Sequence, residues 1–173
     1  MPSFGAMASV DIFLVRHGLA GEPTPGQNDN LRPLTRAGRQ RTREVAKRLD
    51  RLGVGFDLLL ASPLVRAQQT AELLQDLGLC KRLETSALLS PGGDFRAWVK
   101  WLGHWRRAPG HRRLGLVGHM PDLGAWAEEL LWGEARQRLV LKKAGVVGLT
   151  LPSRGNPVGR CSLFLLSPPR YLL

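Results

Sequence analysis

Short, wholly apolar runs alternate along the chain with longer stretches in which apolar residues recur every three or four positions, and these two periods separate strands from helices. Val10–Val15 is an apolar run with Asp11 near its start, predicting a buried strand that Arg16-His17-Gly18 ends. Leu19–Pro33, rich in Gly, Pro and Asn, is a loop. Thr35 is placed to cap a helix running to about Leu52, with Val45, Ala46, Leu49 and Leu52 on its apolar stripe and Gly53 and Gly55 as its stop. Phe56–Ala61 is a second strand. Ser62 and Pro63 read as a cap and first-turn pair for a helix with Leu64, Ala67, Ala71, Leu74 and Leu77 on one side. Arg82–Thr85 is a short strand and Ser90-Pro91-Gly92-Gly93 a turn. Asp94 starts a helix whose Phe95, Trp98, Val99, Leu102 and Trp105 are core residues. After the basic loop Arg106–Arg113, the strand Leu114–Val117 ends at Gly118-His119. Pro121 opens a helix with Leu123, Ala127, Leu130 and Leu131 inward. Val146–Leu151 and Cys161–Leu166 are the last strands, joined by a Pro/Gly turn around Asn156.

Strands alternating with helices predict an α/β fold, a three-layer α/β/α sandwich. Its central sheet is mostly parallel and covered on both faces, with an antiparallel pair near the C-terminus. The 173 residues read as one domain with residues 1–9 as a loose tail, Met7 being an alternative start. A chain of this length buries roughly 70% of its unfolded surface, which suffices without metal or disulfide. Cys80 and Cys161 lack metal-ligand spacing and read as reduced thiols. No apolar run approaches the roughly 20 residues of a membrane span. Met1–Ser9 lacks the basic start and apolar core of a signal peptide, so a cytoplasmic location is expected and a membrane partner is not.

Charge changes the picture more than composition does. Twenty-five basic against 14 acidic residues give +11, which raises the question of nucleic acid. The basic residues are scattered, however, and the densest group, Arg36, Arg39, Arg41, Arg43, Lys47, Arg48 and Arg51, suits the solvated face of one helix. Attraction for acidic proteins or phosphorylated substrates is the better reading.

Three polar signals share one structural position. Arg16-His17, Ser62 to Arg66, and Gly118-His119 each follow a short apolar strand, and ligands of open α/β sheets bind beyond the carboxyl ends of the strands. Arg16, His17, Arg66 and His119 can therefore meet. Two guanidiniums and two imidazoles, with no carboxylate among them, describe a site for a dianionic phosphoryl group. His104 and His111 lack such placement and read as surface residues.

Leu14-Val15-Arg16-His17-Gly18 resembles the signature of the histidine phosphatase superfamily, with its phosphoglycerate mutase-like fold. The resemblance continues through Arg32-Pro33-Leu34-Thr35 with Gly38, through Ser62-Pro63-Leu64-Val65-Arg66-Ala67-Gln68-Gln69-Thr70, and through Val117-Gly118-His119-Met120-Pro121. Within the superfamily, Leu89-Ser90-Pro91 followed by Gly93-Asp94 is most similar to the SixA-type phosphohistidine phosphatases. The resemblance implies that His17 is the nucleophile of a metal- and cofactor-independent phosphatase, and that Arg16, Arg66 and a protonated His119 bind the phosphoryl group. Leu19 and Met120 depart from the family pattern.

In the superfamily that the chain resembles, mutases and many phosphomonoesterases carry a Glu after the third strand; here the matching stretch reads Leu88-Leu89-Ser90-Pro91. Glu22 and Asp94 are the stand-in proton donors, although Asp at a helix start is usually a cap. A site without a strong acid suits a phosphohistidine, whose imidazole leaves far more readily than an alkoxide. The expected partner is therefore a phosphorylated phosphotransfer domain or carrier protein. A small phosphorylated metabolite is the alternative, and a non-catalytic phosphate- or nucleic-acid-binding module is the alternative of another class.

Overall fold

A computed structural model describes residues 9–173. The tail expected over residues 1–9 lies, apart from Ser9, outside the described residues. The described residues form one six-stranded sheet from β1 (Asp11–Arg16), β2 (Leu58–Ala61), β3 (Leu83–Thr85), β4 (Arg113–Gly118), β5 (Val146–Thr150) and β6 (Ser162–Ser167), in the order β3-β2-β4-β1-β5-β6. β1 to β4 are mutually parallel where they pair, whereas β5 runs antiparallel to β1 and β6 antiparallel to β5. The expected mixed α/β sandwich, with its antiparallel pair at the C-terminal end, is therefore what forms.

Alternate residues of each strand enter opposite cores, as the two-residue period of a pleated strand requires. Ile12, Leu14, Leu58, Leu60, Leu114 and Leu116 face α3 (Phe95–Trp105) and α4 (Asp122–Trp132). Phe13, Val15, Leu59, Ala61 and Val117 face α1 (Arg36–Arg51) and α2 (Val65–Asp76). The tryptophans of α3 are core residues as expected: Trp98 is fully buried and lies 5.1 Å from Trp126 between ring centroids. Leu52, expected on the buried stripe of α1, is instead exposed, because the helix ends at Arg51 and the chain turns away at Gly53.

Two local departures bear on the site. The α2 helix begins at Val65 with Leu64 as its cap and no side-chain cap bond, so Ser62 is not the helix cap its position suggested. α1 does start as expected: the Thr35 hydroxyl accepts from the Gly38 N–H at 2.9 Å. Its first turn lies against the backbone just past His17, where the Leu19 carbonyl accepts from the Thr35 N–H at 2.9 Å. A Cβ on Gly38 would stand 2.0 Å from that carbonyl oxygen. Gly38→Ala must therefore push α1 away from the loop that follows His17. The expected cost is about 1–3 kcal/mol, the range for overpacking a tight contact, read as a lower urea midpoint. An unchanged midpoint would show that the contact yields freely.

Candidate active site

The register of the parallel strands brings three chain segments to one level. Arg16 pairs with Gly118 across β1 and β4, and Ala61 with Val117 across β2 and β4. Beyond these pairs the His17 N–H donates to the Gly118 carbonyl at 3.0 Å and the Ser62 N–H to the Val117 carbonyl at 2.9 Å. His17, Ser62 and His119 therefore emerge side by side, with the two imidazole centroids 5.2 Å apart. His17, Arg66 and His119 are buried and Arg16 is half-buried.

Each side chain is held by one edge and leaves another free. His17 Nδ1 donates to its neighbour's carbonyl, Gly18 O, at 2.7 Å, which leaves Nε2 as the nitrogen with the lone pair. Arg16 Nη1 donates to Leu141 O at 2.8 Å. Arg66 Nη1 donates to the Asp29 carbonyl at 2.8 Å, and its Nη2 lies 3.0 Å from the Asp29 carboxylate. His119 Nε2 lies 2.8 Å from the Ser62 hydroxyl. Arg16 Nε, Arg66 Nε and His119 Nδ1 are buried without a hydrogen-bond partner in the protein. Buried polar groups are rarely left unmade. Thr42 Oγ1, Trp98 Nε1 and Trp105 Nε1 also lack a partner, but Arg16, Arg66 and His119 are the groups whose charge reaches the His17 imidazole, so their free edges are able to take an anion there.

Burial holds the His17 imidazole down to about 3, helped by the charges of His119, Arg66 and Arg16 against the opposing Gly18 hydrogen bond. His119 falls to about 4, again chiefly by burial and then by Arg66. Both rings are therefore neutral at physiological pH. The protonated His119 expected from sequence is not its resting form.

A carboxylate unforeseen in the sequence completes the site. Asp29, in the short 3-10 helix Asp29–Leu31, bonds Arg66 and also accepts from Arg32 Nε at 2.8 Å. The bond from Arg32 is the main reason its carboxyl sits below the usual range, so Asp29 is an ionised anchor rather than a proton donor. Glu22 lines a cavity of about 460 Å³ that Asp29 and Arg32 also line. Asp94 accepts from the Ala97 N–H at 3.0 Å and caps α3. His104 is an exposed residue, whereas His111 is half-buried and stacked on Trp105 at 4.5 Å.

The sequence model of the Histidine phosphatase superfamily (branch 1) matches residues 12–89. An uncharacterized protein of Picosynechococcus is 42% identical over 165 residues, 95% of this chain and 99% of the relative. The phosphohistidine phosphatase SixA of Escherichia coli is 30% identical over 151 residues, 85% of this chain and 89% of SixA. A solved structure of SixA complexed with tungstate superposes with a TM-score of 0.82 at 26% identity, covering 95% of this chain and all of that one. The chain belongs to the histidine phosphatase superfamily.

In this histidine phosphatase superfamily member, the segment from Ser62 to Thr70 has an assigned contact at nearly every polar position. Ser62 holds His119 and Arg66 reaches Asp29. Gln68 Nε2 donates to Ser62 O at 2.6 Å, and Gln69 Oε1 accepts from the Leu34 N–H at 2.8 Å. The Thr70 hydroxyl donates to Arg66 O at 2.7 Å and accepts from the Gly18 N–H at 3.0 Å. A side chain at Gly18 would meet Thr42 Oγ1 at 2.4 Å, which is why glycine follows His17.

The carbonyl that orients Arg16 is positioned in turn by Glu128, a fully buried residue of α4 that sequence reasoning passed over. Its carboxylate accepts the backbone N–H groups of Arg136, Gln137, Arg138 and Leu139. These bonds outweigh burial and keep its carboxyl below the ordinary range. The same loop crosses α4 at Gly124, where a Cβ would stand 2.2 Å from Leu139 O, and continues directly into Leu141. Glu128→Gln would set an amide NH₂ against backbone donors, an expected loss of about 1–3 kcal/mol. It should also weaken vanadate binding through Arg16. Unchanged urea midpoint and vanadate affinity would show that the loop is held by other means.

Proposed function

We propose that this protein is a phosphatase that transfers the phosphoryl group of a protein phosphohistidine to His17 Nε2 and then to water. The observation that carries this reading is the set of three unpartnered donor edges, on Arg16, Arg66 and His119, gathered around a neutral imidazole whose other nitrogen is already engaged. Phosphoryl transfer asks a protein chiefly for positioning and for charge on the equatorial oxygens. Arg16 and Arg66 supply fixed cations. The Ser62 hydroxyl, which accepts from the Leu64 N–H at 3.3 Å, donates a hydrogen bond to His119 Nε2, so that the neutral ring carries its proton on Nδ1, toward the phosphoryl group. The tungstate of the solved SixA complex is an oxyanion, consistent with such a pocket.

In the first step the P–Nε2 bond to His17 forms as the bond from phosphorus to the substrate imidazole breaks, and the leaving ring takes a proton from solvent. In the second, water attacks phosphorus, the P–Nε2 bond breaks and inorganic phosphate leaves. The arriving dianion raises the pKa of His119, so that His119 becomes able to hold a proton in the loaded site. Asp29 stays ionised throughout. An imidazole leaving group, with a pKa of about 6.5 for its conjugate acid, tolerates this shortage of acids, whereas an alkoxide does not. The described residues bring no three His, Cys, Asp or Glu side chains together as a metal site, so His17 chemistry is expected to survive EDTA.

His17→Ala is expected to abolish turnover of a phosphohistidine protein, and rapid quench of the wild type should trap acid-labile, base-stable phosphate. More than a few per cent residual activity would remove His17 as the nucleophile. Among aryl phosphates, turnover should fall steeply with rising phenol pKa; a flat dependence would point to an acid, with Glu22 the first to test.

The imidazoles give a pH signature. Their folded pKa values, about 3 and about 4, lie below 6.5, so the unfolded chain binds protons first as the pH falls. Their contribution to stability is whole above pH 6.5 and is lost on the way down to their folded values. Nitrogen-15 spectra of the empty enzyme should show both rings neutral from pH 8 to about pH 5; protonation of either near pH 6.5 would contradict the buried, cation-flanked site.

A further inference from the structure

A groove of about 650 Å³ opens beside the phosphoryl pocket and shares Arg16 with it. One wall is the turn Lys142–Gly145, which is stitched to the catalytic strand. The Ala144 N–H approaches Arg16 O at 3.1 Å and His17 O at 3.2 Å, and the Arg16 N–H donates to Gly145 O at 3.1 Å. Ala144 takes φ 61° to do so, a left-handed conformation that costs a non-glycine residue stability and is kept where the surroundings enforce it. The turn thus sets Lys142 and Lys143 at a fixed position relative to His17. Arg41 from α1 and Arg170 beyond β6 complete the cationic lining.

Five cations line this groove and no Asp or Glu does. None of the five takes part in an ion pair among the described residues, whereas Arg32, Lys47, Arg66, Arg82 and Arg136 all do. Between the cations stand exposed apolar side chains, Leu19, Val140 and Leu166, the last two 61% and 48% exposed. A concave surface with unpaired cations and interleaved aliphatic groups is complementary to carboxylates and apolar side chains together. No aromatic side chain lines it, and Tyr171 at its edge is covered by the Arg170 guanidinium at 4.7 Å, so it lacks the row of aromatic platforms on which single-stranded nucleic acid stacks.

We infer that this groove docks an acidic, amphipathic segment of the same phosphoprotein whose phosphohistidine enters the pocket. The inference rests on the phosphohistidine reading for the identity of that protein, while the groove's preference for an acidic peptide stands on its own. Docking at the groove supplies affinity from a part of the substrate that does not react, and so acts on KM for the protein and not on small phosphates.

The test uses a fluorescein-labelled synthetic dodecapeptide of alternating Glu and Leu blocks, without phosphate, titrated by anisotropy in saturating vanadate. The wild type should bind it, and R41E/R170E should weaken binding at least tenfold. R39E/R43E, the same change of net charge on the opposite face of α1, should stay within twofold. In turnover, R41E/R170E should raise KM for a phosphohistidine protein about tenfold with p-nitrophenyl phosphate kinetics unchanged, which also shows the fold intact. Absent peptide binding, equal losses in the two double variants, or displacement of the peptide by a lower concentration of equally charged single-stranded DNA would each overturn the inference. Failure to turn over any phosphohistidine protein would sink the proposed reaction, yet the peptide titration would still decide the groove.

Discussion

The parallel register of β1, β4 and β2 is the constraint on which the rest of the site depends. Because Arg16 lies opposite Gly118 and Ala61 lies beside Val117, the chain leaves all three strands at one level. A slip of one residue in any strand would exchange its two faces, sending side chains fitted to one core into the other and carrying His17 or His119 off the shared level. The apolar alternation that fills the two cores is therefore also what aligns the imidazoles. Stability and catalysis are tied through one hydrogen-bond ladder rather than through separate devices.

That alignment creates an electrostatic debt inside the fold. Arg16 stands at the end of β1 and Arg66 in the first turn of α2, with His17 and His119 beside them, and the ionised carboxylate of Asp29 answers Arg66 from the side. Removing charges from water is costly unless they are paired. The fold meets the cost partly by keeping both imidazoles neutral and partly by giving each guanidinium a backbone carbonyl, Leu141 O or Asp29 O. What remains unmet is one edge each of Arg16, Arg66 and His119, and in the proposed reaction a phosphoryl dianion would meet all three.

The strand ends were legible in the sequence because an apolar run that stops at Arg-His or Gly-His is a local pattern, and Arg16, His17, Arg66 and His119 do meet there. Asp29 was not legible: it lies in a polar loop where nothing local distinguishes it from Asn28 or Asn30, and only the fold turns it toward Arg66. Glu128 was hidden by the opposite effect. An acid on a helix is ordinarily solvated, and its burial depends on a loop that returns across α4 at Gly124. Ser62 had the right neighbours for a helix cap, but its hydroxyl is drawn to His119, a residue 57 positions away that local sequence cannot weigh. Leu52 kept helical spacing yet lay one residue past the last turn.

Main-chain groups do much of the orienting here, and this explains how the chain accommodates its departures from the family pattern. Gly18 O fixes the His17 tautomer, Leu141 O fixes Arg16, and Leu19 O receives the Thr35 N–H. A carbonyl is the same whatever side chain stands beside it, so the residue after Arg-His-Gly can be Leu19 without loss of geometry. Its side chain, released from any structural bond, faces the basic groove instead. Met120 is likewise free of a polar role: its thioether packs over Gly124, beside the point where the Glu128 loop crosses α4. Positions that act through their backbone can thus change side chain without loss of geometry, while Arg16, His17, Arg66 and His119, whose side-chain edges carry the proposed reaction, have no such freedom. Under the proposed reaction, specificity can vary around a fixed phosphoryl pocket because the two are carried by the side chains of different residues.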